Sequence, residues 1–148
     1  MALVTLTQDT ISLAAVGQSV EDAGFGAVVT FAGNVRDNAQ GRQVLYLEYE
    51  GYPPLAEKEL ARIALEAEQR WGVRCAVTHR LGHMEIGECS VAVAVASPHR
   101  AEAFEACRWV MDTLKATVPI WKKEYFVGGA CWIEGPQSVP SPLEASMS

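Results

Sequence analysis

Two lysines near the end of a predicted helix are the side chains in this sequence best suited to chemistry. Lys115 falls near the end of a helix that the sequence predicts from Ser97, and Lys122 follows seven residues later, beyond Pro119. A lysine ammonium can stabilise a developing oxyanion, and a lysine partly removed from water can also transfer protons. The apolar turn between the two would let both reach one pocket. Lysines at helix ends and in solvated charge clusters are also common, and that alternative stays open.

A second candidate site lies at the start of the same helix. Ser97 is a favourable N-cap and Pro98 suits the first helical position. His99 and Arg100 fall in the first turn, where unpaired backbone N–H groups and the helix dipole favour an anion such as phosphate. Apolar residues then recur at spacings of three and four, which predicts a buried face made of Phe104, Cys107, Met111 and Leu114.

Length and composition bound the class of protein. The chain has 148 residues, 49% hydrophobic and 20% charged, which fits one globular domain with a core of its own. Residues 1–135 are predicted to form that domain, and residues 136–148, rich in Pro and Ser, to form a flexible tail. No apolar run is long enough for a membrane span, and the N-terminus does not resemble a secretory signal, so we expect a cytoplasmic protein.

Charge and cysteine usage exclude further classes. A formal net charge of −6 argues against nucleic-acid binding, because that binding is driven by neutralisation of phosphates. An anionic ligand must therefore meet a local cluster of cations. The four cysteines are widely spaced and no histidine stands beside one at ligand spacing, so we expect small core residues in a reducing compartment, with no metal site and no cofactor.

The pattern of elements predicts an α+β fold, a mostly antiparallel sheet with helices packed on one side of it. The predicted order is β-α-β-β-α-β-β-α-β-β. The strand over 43–52 is expected to pair with the preceding one over 26–35, and 83–88 is expected to be a connection. The nearly continuous apolar run over 89–97 predicts a strand buried on both faces. The predicted strands cover residues 2–7, 26–35, 43–52, 73–82 and 89–97 with one or two more around 128–129, and the predicted helices cover 11–16, 53–71 and the segment from 97.

Several motifs in register give the chain a family resemblance. GAVVTFAGNVR, THRLG, VAVASPHRAEAFEA, MDTLKATVPIWKKE and CWIEG together resemble the large, catalytic subunit of molybdopterin synthase, over roughly residues 20–135. The resemblance implies a sulfurtransferase of molybdenum cofactor biosynthesis that converts cyclic pyranopterin monophosphate (precursor Z) to molybdopterin. It implies sulfur delivered as a thiocarboxylate on the C-terminal Gly-Gly of a small ubiquitin-like subunit. It also implies a dimer of catalytic subunits within a heterotetramer, with no metal of its own.

The resemblance carries roles onto particular positions. Lys115 and Lys122 match the family's paired active-site lysines; as a hypothesis, Lys115 is the acid/base and oxyanion group, and Lys122 positions the substrate and the incoming tail. Phe31 and Met111 match apolar pocket positions. His99 and Arg100 are expected from the neighbouring protomer, and Asn34 stands where some members have lysine. The remaining substrate-binding residues implied by the resemblance are Val35, Arg36, Lys123 and Glu124.

Two other functions remain open at this point. A non-enzymatic docking module for a ubiquitin-like tail would use the same groove, although it would not need a phosphate cradle. A general phosphate-ester hydrolase would need a metal cluster, a carboxylate pair or an activated nucleophile, and the sequence offers none of these.

Overall fold

The chain folds into two sheets and three helices over residues 2–134, which are the residues that this computed structural model describes. The predicted α+β class is confirmed, whereas the predicted tail over 136–148 lies outside the described residues. The elements are β1 (Leu3–Thr7), α1 (Leu13–Gln18), β2 (Ala27–Asn34), β3 (Asn38–Ala39), β4 (Arg42–Gly51), α2 (Pro53–Trp71), β5 (Arg74–Arg80), β6 (Gly82–Glu85), β7 (Cys89–Ser97), α3 (Arg100–Thr117), β8 (Ile120–Phe126) and β9 (Gly129–Glu134).

The first sheet has the strand order β1-β5-β7-β2, and the β1–β5 pair is its parallel one. Strand β7 is buried on both faces, as its apolar run predicts. Its valines face the main core under α2 and α3, whereas its alanines face α1. The prediction that all helices lie on one side is therefore wrong, because small side chains such as Ala92 and Ala94 leave room for α1 on the opposite face.

The second sheet has the order β3-β4-β8-β9, with β6 also paired to β4. The predicted pairing of β4 with β2 is wrong: β2 pairs with β7, and β4 pairs with β3, β6 and β8. The reason is a local hairpin, since Gln40 and Gly41 both have positive φ and fold β3 directly onto β4. The segment expected to be a connection at 83–88 contains β6. A small core of Val35, Val44, Leu47 and Met84 lies against this sheet.

The two long helices pack on each other and on the first sheet. Helix α2 ends as predicted at Gly72, whose φ of 64° is the left-handed conformation that glycine adopts without strain. Its first apolar residue, Leu55, is exposed, and Ala56 takes the buried position instead. Among the described residues, no helix is long and apolar enough to cross a membrane.

Helix α3 starts later than the sequence predicts. Ser97 remains in β7, paired with Ala27, so the helix begins at Arg100 with His99 as its N-cap. The hydroxyl of Ser97 accepts a hydrogen bond from the backbone N–H of His99. Phe104, predicted to be buried, is 61% exposed. The other three predicted residues, Cys107, Met111 and Leu114, are buried as expected, and the stripe is completed by Ala103, Ala106 and Val110.

Two smaller differences concern element boundaries. Helix α1 begins at Leu13 and not at residue 11, because Ser12 is its cap and the Ser12 hydroxyl accepts from the N–H of Ala15. Strand β8 begins at Ile120, so Lys122 lies within a strand, whereas the strands predicted at this end of the chain were those around 128–129.

Candidate active site

A cavity of about 520 Å³ opens where the end of α3, the end of β2 and the second sheet meet. Its wall is mixed, with apolar side chains from β2, β7 and α3 and polar groups from every element around it. It is lined by Phe31, Gly33, Asn34, Arg36, Tyr49, His79, Ser90, Val91, Met111, Leu114, Lys115, Val118, Ile120 and Lys122.

The two predicted catalytic lysines reach this cavity from different elements. Lys115 belongs to the last turn of α3, and Lys122 lies on β8. The chain between them passes through Val118 and Pro119, which are both buried and so fix the path of the turn. In the pairing of β4 with β8, Tyr49 lies opposite Lys122, and both line the cavity. The predicted convergence of the two lysines is therefore present in the fold.

Lys122 is held by a buried ion pair. Its Nζ lies 3.8 Å from Oε2 of Glu124, and the two side chains are only 12% and 6% exposed. Lys122 and Glu124 are two residues apart on one strand, so they share a face of the sheet. Glu124, predicted as a substrate contact, does not line the cavity and instead forms an ion pair with Lys122.

The end of β2 supplies the opposite wall. The pairing of β2 with β7 shifts register between Gly33 and Asn34. Val35 follows with its side chain buried in the second core, its N–H donating to Glu88 and its carbonyl accepting from Gly87. These contacts fix the backbone between Asn34 and Arg36, which both line the cavity. Val35, predicted to bind substrate, does not line the cavity and acts as an anchor.

Three polar residues that line the cavity, Tyr49, His79 and Ser90, were not among the predicted site residues. His79 is 5% exposed and Tyr49 is partly buried, and their rings meet edge to face with centroids 5.4 Å apart. The pKa of His79 is lowered from 6.5 to about 4, mainly by burial; the hydrogen bond to the Arg80 carbonyl opposes this shift, and the charge of Lys115 adds to it. The sequence signal was a lone histidine on the same strand face as Cys75 and Val77.

Three predicted substrate contacts lie away from the cavity of this chain. His99 and Arg100 are exposed at the start of α3. Because Lys115 is 15 residues beyond Arg100 on one helix, the two are about 22 Å apart along its axis. Lys123 lies on the other face of β8, with Nζ 5.1 Å from the ring centroid of Tyr125 and 5.5 Å from that of Trp132.

The hypothesis for Lys115 needs a lysine that is partly removed from water, and the single chain does not provide this environment. Lys115 is exposed in the single chain, although it lines the cavity. Partial removal from water must therefore come from whatever fills or covers the cavity. Among residues 2–134, no group of three or more His, Cys, Asp or Glu side chains is placed to hold a metal ion.

Comparison with known proteins adds to this geometry. The family model described as "MoaE protein" matches residues 6–117. The chain belongs to the MoaE family. A relative from Halalkalibacterium halodurans, named molybdopterin synthase catalytic subunit, is 48% identical over 109 residues, covering 73% of this chain and 70% of that protein. The MoaE resemblance drawn from the motifs is thereby confirmed, as is the prediction of an enzyme subunit.

Solved structures agree with the MoaE fold. Molybdopterin synthase from Staphylococcus aureus superposes with a TM-score of 0.84 at 38% identity, over 87% of this chain and 95% of that one. A complex of subunits 1 and 2 of molybdopterin-converting factor from Helicobacter pylori matches with a TM-score of 0.71, over 98% of this chain and 96% of that one. Its identity of 21% supports the fold alone.

Proposed function

We propose that this chain is the catalytic subunit of a molybdopterin synthase and converts cyclic pyranopterin monophosphate to molybdopterin. Family membership supports the enzyme class. The observation that carries the site assignment is that Lys115 and Lys122, from a helix and a strand, line one cavity together with Arg36. A pure docking groove for a protein tail would not need three cations around a cavity of this size.

The proposed sulfur donor is a thiocarboxylate at the C-terminus of a small ubiquitin-like subunit. Its sulfur attacks a carbon of the pterin side chain while a C–O bond at that carbon breaks, and the departing oxygen leaves on the phosphate or, once protonated, as water. The product is an acyl thioester between the two molecules. Water then attacks the carbonyl carbon, the C–S bond breaks, and the small subunit leaves with an ordinary carboxylate. Two such rounds would place both sulfurs of the dithiolene. Each hydrolysis passes through an oxyanion, which a positioned ammonium stabilises.

Lys115 is the group proposed to meet that oxyanion and to move protons as the pterin ring opens. It is exposed in the single chain, so the incoming tail and the pterin would remove it from water as they bind and strengthen its electrostatic effect. Lys122, fixed by Glu124, would position the substrate and the tail carboxyl. Phe31 and Met111 would contact the pterin from the apolar side of the cavity.

Arg36 is the cation proposed to bind the substrate phosphate within one chain, because a guanidinium can donate two parallel hydrogen bonds. His99 and Arg100 are about 22 Å from Lys115 along α3, so they would contribute to a phosphate site only from a second protomer. This separation supports the proposed dimer of catalytic subunits. The proposed heterotetramer with a small subunit follows from the family resemblance; in the Helicobacter pylori protein of the same fold, subunits 1 and 2 of molybdopterin-converting factor form a complex. Residues 1–135 would be the catalytic domain, and we expect it in the cytoplasm.

Turnover by purified protein tests the function directly. The assay supplies cyclic pyranopterin monophosphate and a thiocarboxylated small subunit, and measures the dithiolene product. We expect turnover by the wild type and a loss of at least about 100-fold in Lys115→Ala, as for removal of one oxyanion donor. Lys58→Ala, which removes an exposed lysine from α2, is the matched control and should keep wild-type turnover.

The outcomes separate the enzyme from the docking module. A folded wild type that binds the small subunit and yields no product would favour the docking module. Normal turnover by Lys115→Ala would be consistent with the synthase function but would contradict the role proposed for Lys115.

A further inference from the structure

His79 is a buried polar side chain in the cavity that the proposed chemistry does not use. It shares a face of β5 with Cys75 and Val77, which pack in the core under α2 and α3. His79 lies at the end of that face, where the core borders the cavity. This histidine is only 5% exposed, and no ion pair of its ring is found within residues 2–134. A buried polar ring of this kind is expected to have a hydrogen-bonding role.

The hydrogen bond of the ring assigns its tautomer. Nδ1 lies 2.9 Å from the backbone carbonyl oxygen of Arg80. A carbonyl oxygen only accepts, so Nδ1 carries the hydrogen and Nε2 of the neutral ring carries the lone pair. The edge-to-face contact with Tyr49, with an interplanar angle of 75°, limits rotation of the ring. Within residues 2–134, no hydrogen bond of Nε2 is found.

Most of the polar groups that line the same cavity can donate hydrogen bonds. Lys115 approaches from α3 and its charge acts on the imidazole. Lys122 lies on β8, Arg36 follows β2, and the Tyr49 hydroxyl belongs to β4. Because the low pKa of His79 keeps the ring neutral near pH 7, it adds no further positive charge. It offers these donors a fixed acceptor.

We propose that His79 is a positioning residue for Lys115: its Nε2 accepts a hydrogen bond from the Lys115 ammonium in the covered site and directs the remaining ammonium hydrogens toward the reacting carbonyl. An exposed lysine at a helix end has many rotamers, so one fixed acceptor would select the productive orientation before the oxyanion develops. This inference rests on the proposed synthase function, because it assigns Lys115 the oxyanion.

Two amide substitutions separate positioning from a structural role. In His79→Asn the side-chain NH₂ can replace Nδ1–H as donor to Arg80, but nothing reaches the position of Nε2. In His79→Gln the side-chain oxygen can reach that position. We expect His79→Asn to lower kcat about 10- to 100-fold with little change in KM, the effect of one lost hydrogen bond to a charged group. His79→Gln should recover most of that loss.

His83→Asn is the matched control, since His83 is exposed and pairs with Glu85 outside the cavity; it should keep wild-type kinetics. Equal loss in His79→Asn and His79→Gln, or no loss in either, with an active wild type, would overturn the inference and leave the synthase standing. An inactive wild type would count against the synthase itself.

Ring ¹⁵N NMR tests the inference without turnover and without any substitution of His79. The expected signature is a protonated Nδ1 and an unprotonated Nε2 between about pH 6 and 8, consistent with a pKa well below 6.5. In the complex with the small subunit, Lys115→Ala should shift the Nε2 resonance, and Lys58→Ala should not. A proton on Nε2, or an Nε2 resonance indifferent to Lys115, would overturn the inference.

Discussion

The ammonium of Lys122 lies 3.8 Å from the carboxylate of Glu124, and neither side chain has more than 12% of its surface exposed. Glu124 therefore holds one of the two lysines that the proposed mechanism uses. A buried ion pair contributes modest net stability when intact, but removal of one partner leaves an uncompensated charge in a poorly solvated place. The pair is therefore expected to matter for both folding and substrate binding.

Glu124→Gln should lower the free energy of unfolding by about 1–3 kcal/mol, because it keeps the shape of the side chain and removes its charge. It should also raise KM, since Lys122 loses the group that fixes it. The measurement is urea unfolding combined with steady-state kinetics. Lys122→Met with Glu124→Gln completes a double-mutant cycle, and strictly additive losses of stability would show that the two residues are not coupled.

Gly33→Ala should destabilise the protein by about 1–3 kcal/mol through overpacking. A Cβ at Gly33 would lie 2.9 Å from Cγ1 of Val91, across the β2–β7 pair and at the cavity wall. Gly17→Ala is the control, because its Cβ would lie 3.4 Å from Thr30 and its position within α1 favours alanine. Thermal unfolding measures both. Val91→Ala in the Gly33→Ala background should recover part of the loss, and no recovery would contradict the steric reason.

Stability should fall in acid partly because of His79. The unfolded chain binds a proton at this histidine below about pH 6.5, whereas the folded chain binds it only below about pH 4. Stability is thus fully present above about pH 7 and is lost as the pH falls toward 4, by about 2–3 kcal/mol at pH 4.5.

His79→Gln isolates this contribution, because the carboxylates with lowered pKa values are common to both proteins. These carboxylates include Asp22 and Glu88. Urea unfolding between about pH 7.5 and 4.5 should show a steeper loss for the wild type than for His79→Gln. Parallel curves would mean that His79 is not kept neutral by the fold.

The buried cysteines should be inert toward alkylation. Burial raises the pKa of Cys75 to about 12 and that of Cys107 to about 11, so little thiolate is present near pH 7.5. Cys131, which is partly exposed, should react first with iodoacetamide, as followed by mass spectrometry. Modification of Cys107 in the native protein as fast as that of Cys131 would contradict this order and would point to opening of α3.

The sequence predicted the positions of the helices and strands better than it predicted which strands pair. Alternation and β-branched content located β2, β4, β5 and β7, and Gly72 marked the end of α2, because these are local properties of the chain. Pairing is not local: β4 was expected beside β2, and the hairpin at Gln40 and Gly41 gives it β3 instead. Similarly, Ser97 has the side chain of a helix cap, but its pairing with Ala27 keeps it in a strand.

The site was predictable where its residues are close in sequence. Lys115 and Lys122 belong to one short segment, so their spacing suggested a shared pocket, whereas Arg36 was assigned through the family resemblance. Tyr49 and His79 come from strands of different sheets, and only the folded arrangement brings them to the cavity. His99 and Arg100 show the opposite case. Their residue types suit an anion, but within one chain they lie far from the two lysines.

The turn through Val118 and Pro119 sets a limit on chain length between the two lysines. One residue inserted into β8 before Lys122 would turn that side chain to the opposite face of the sheet, because strand side chains alternate. Larger insertions would displace it by about 3.3 Å per residue. The turn at Gly128 between β8 and β9 has no such limit. Variation in length among relatives, and loops grafted by design, should therefore collect at Gly128 and be absent between Leu114 and Lys122.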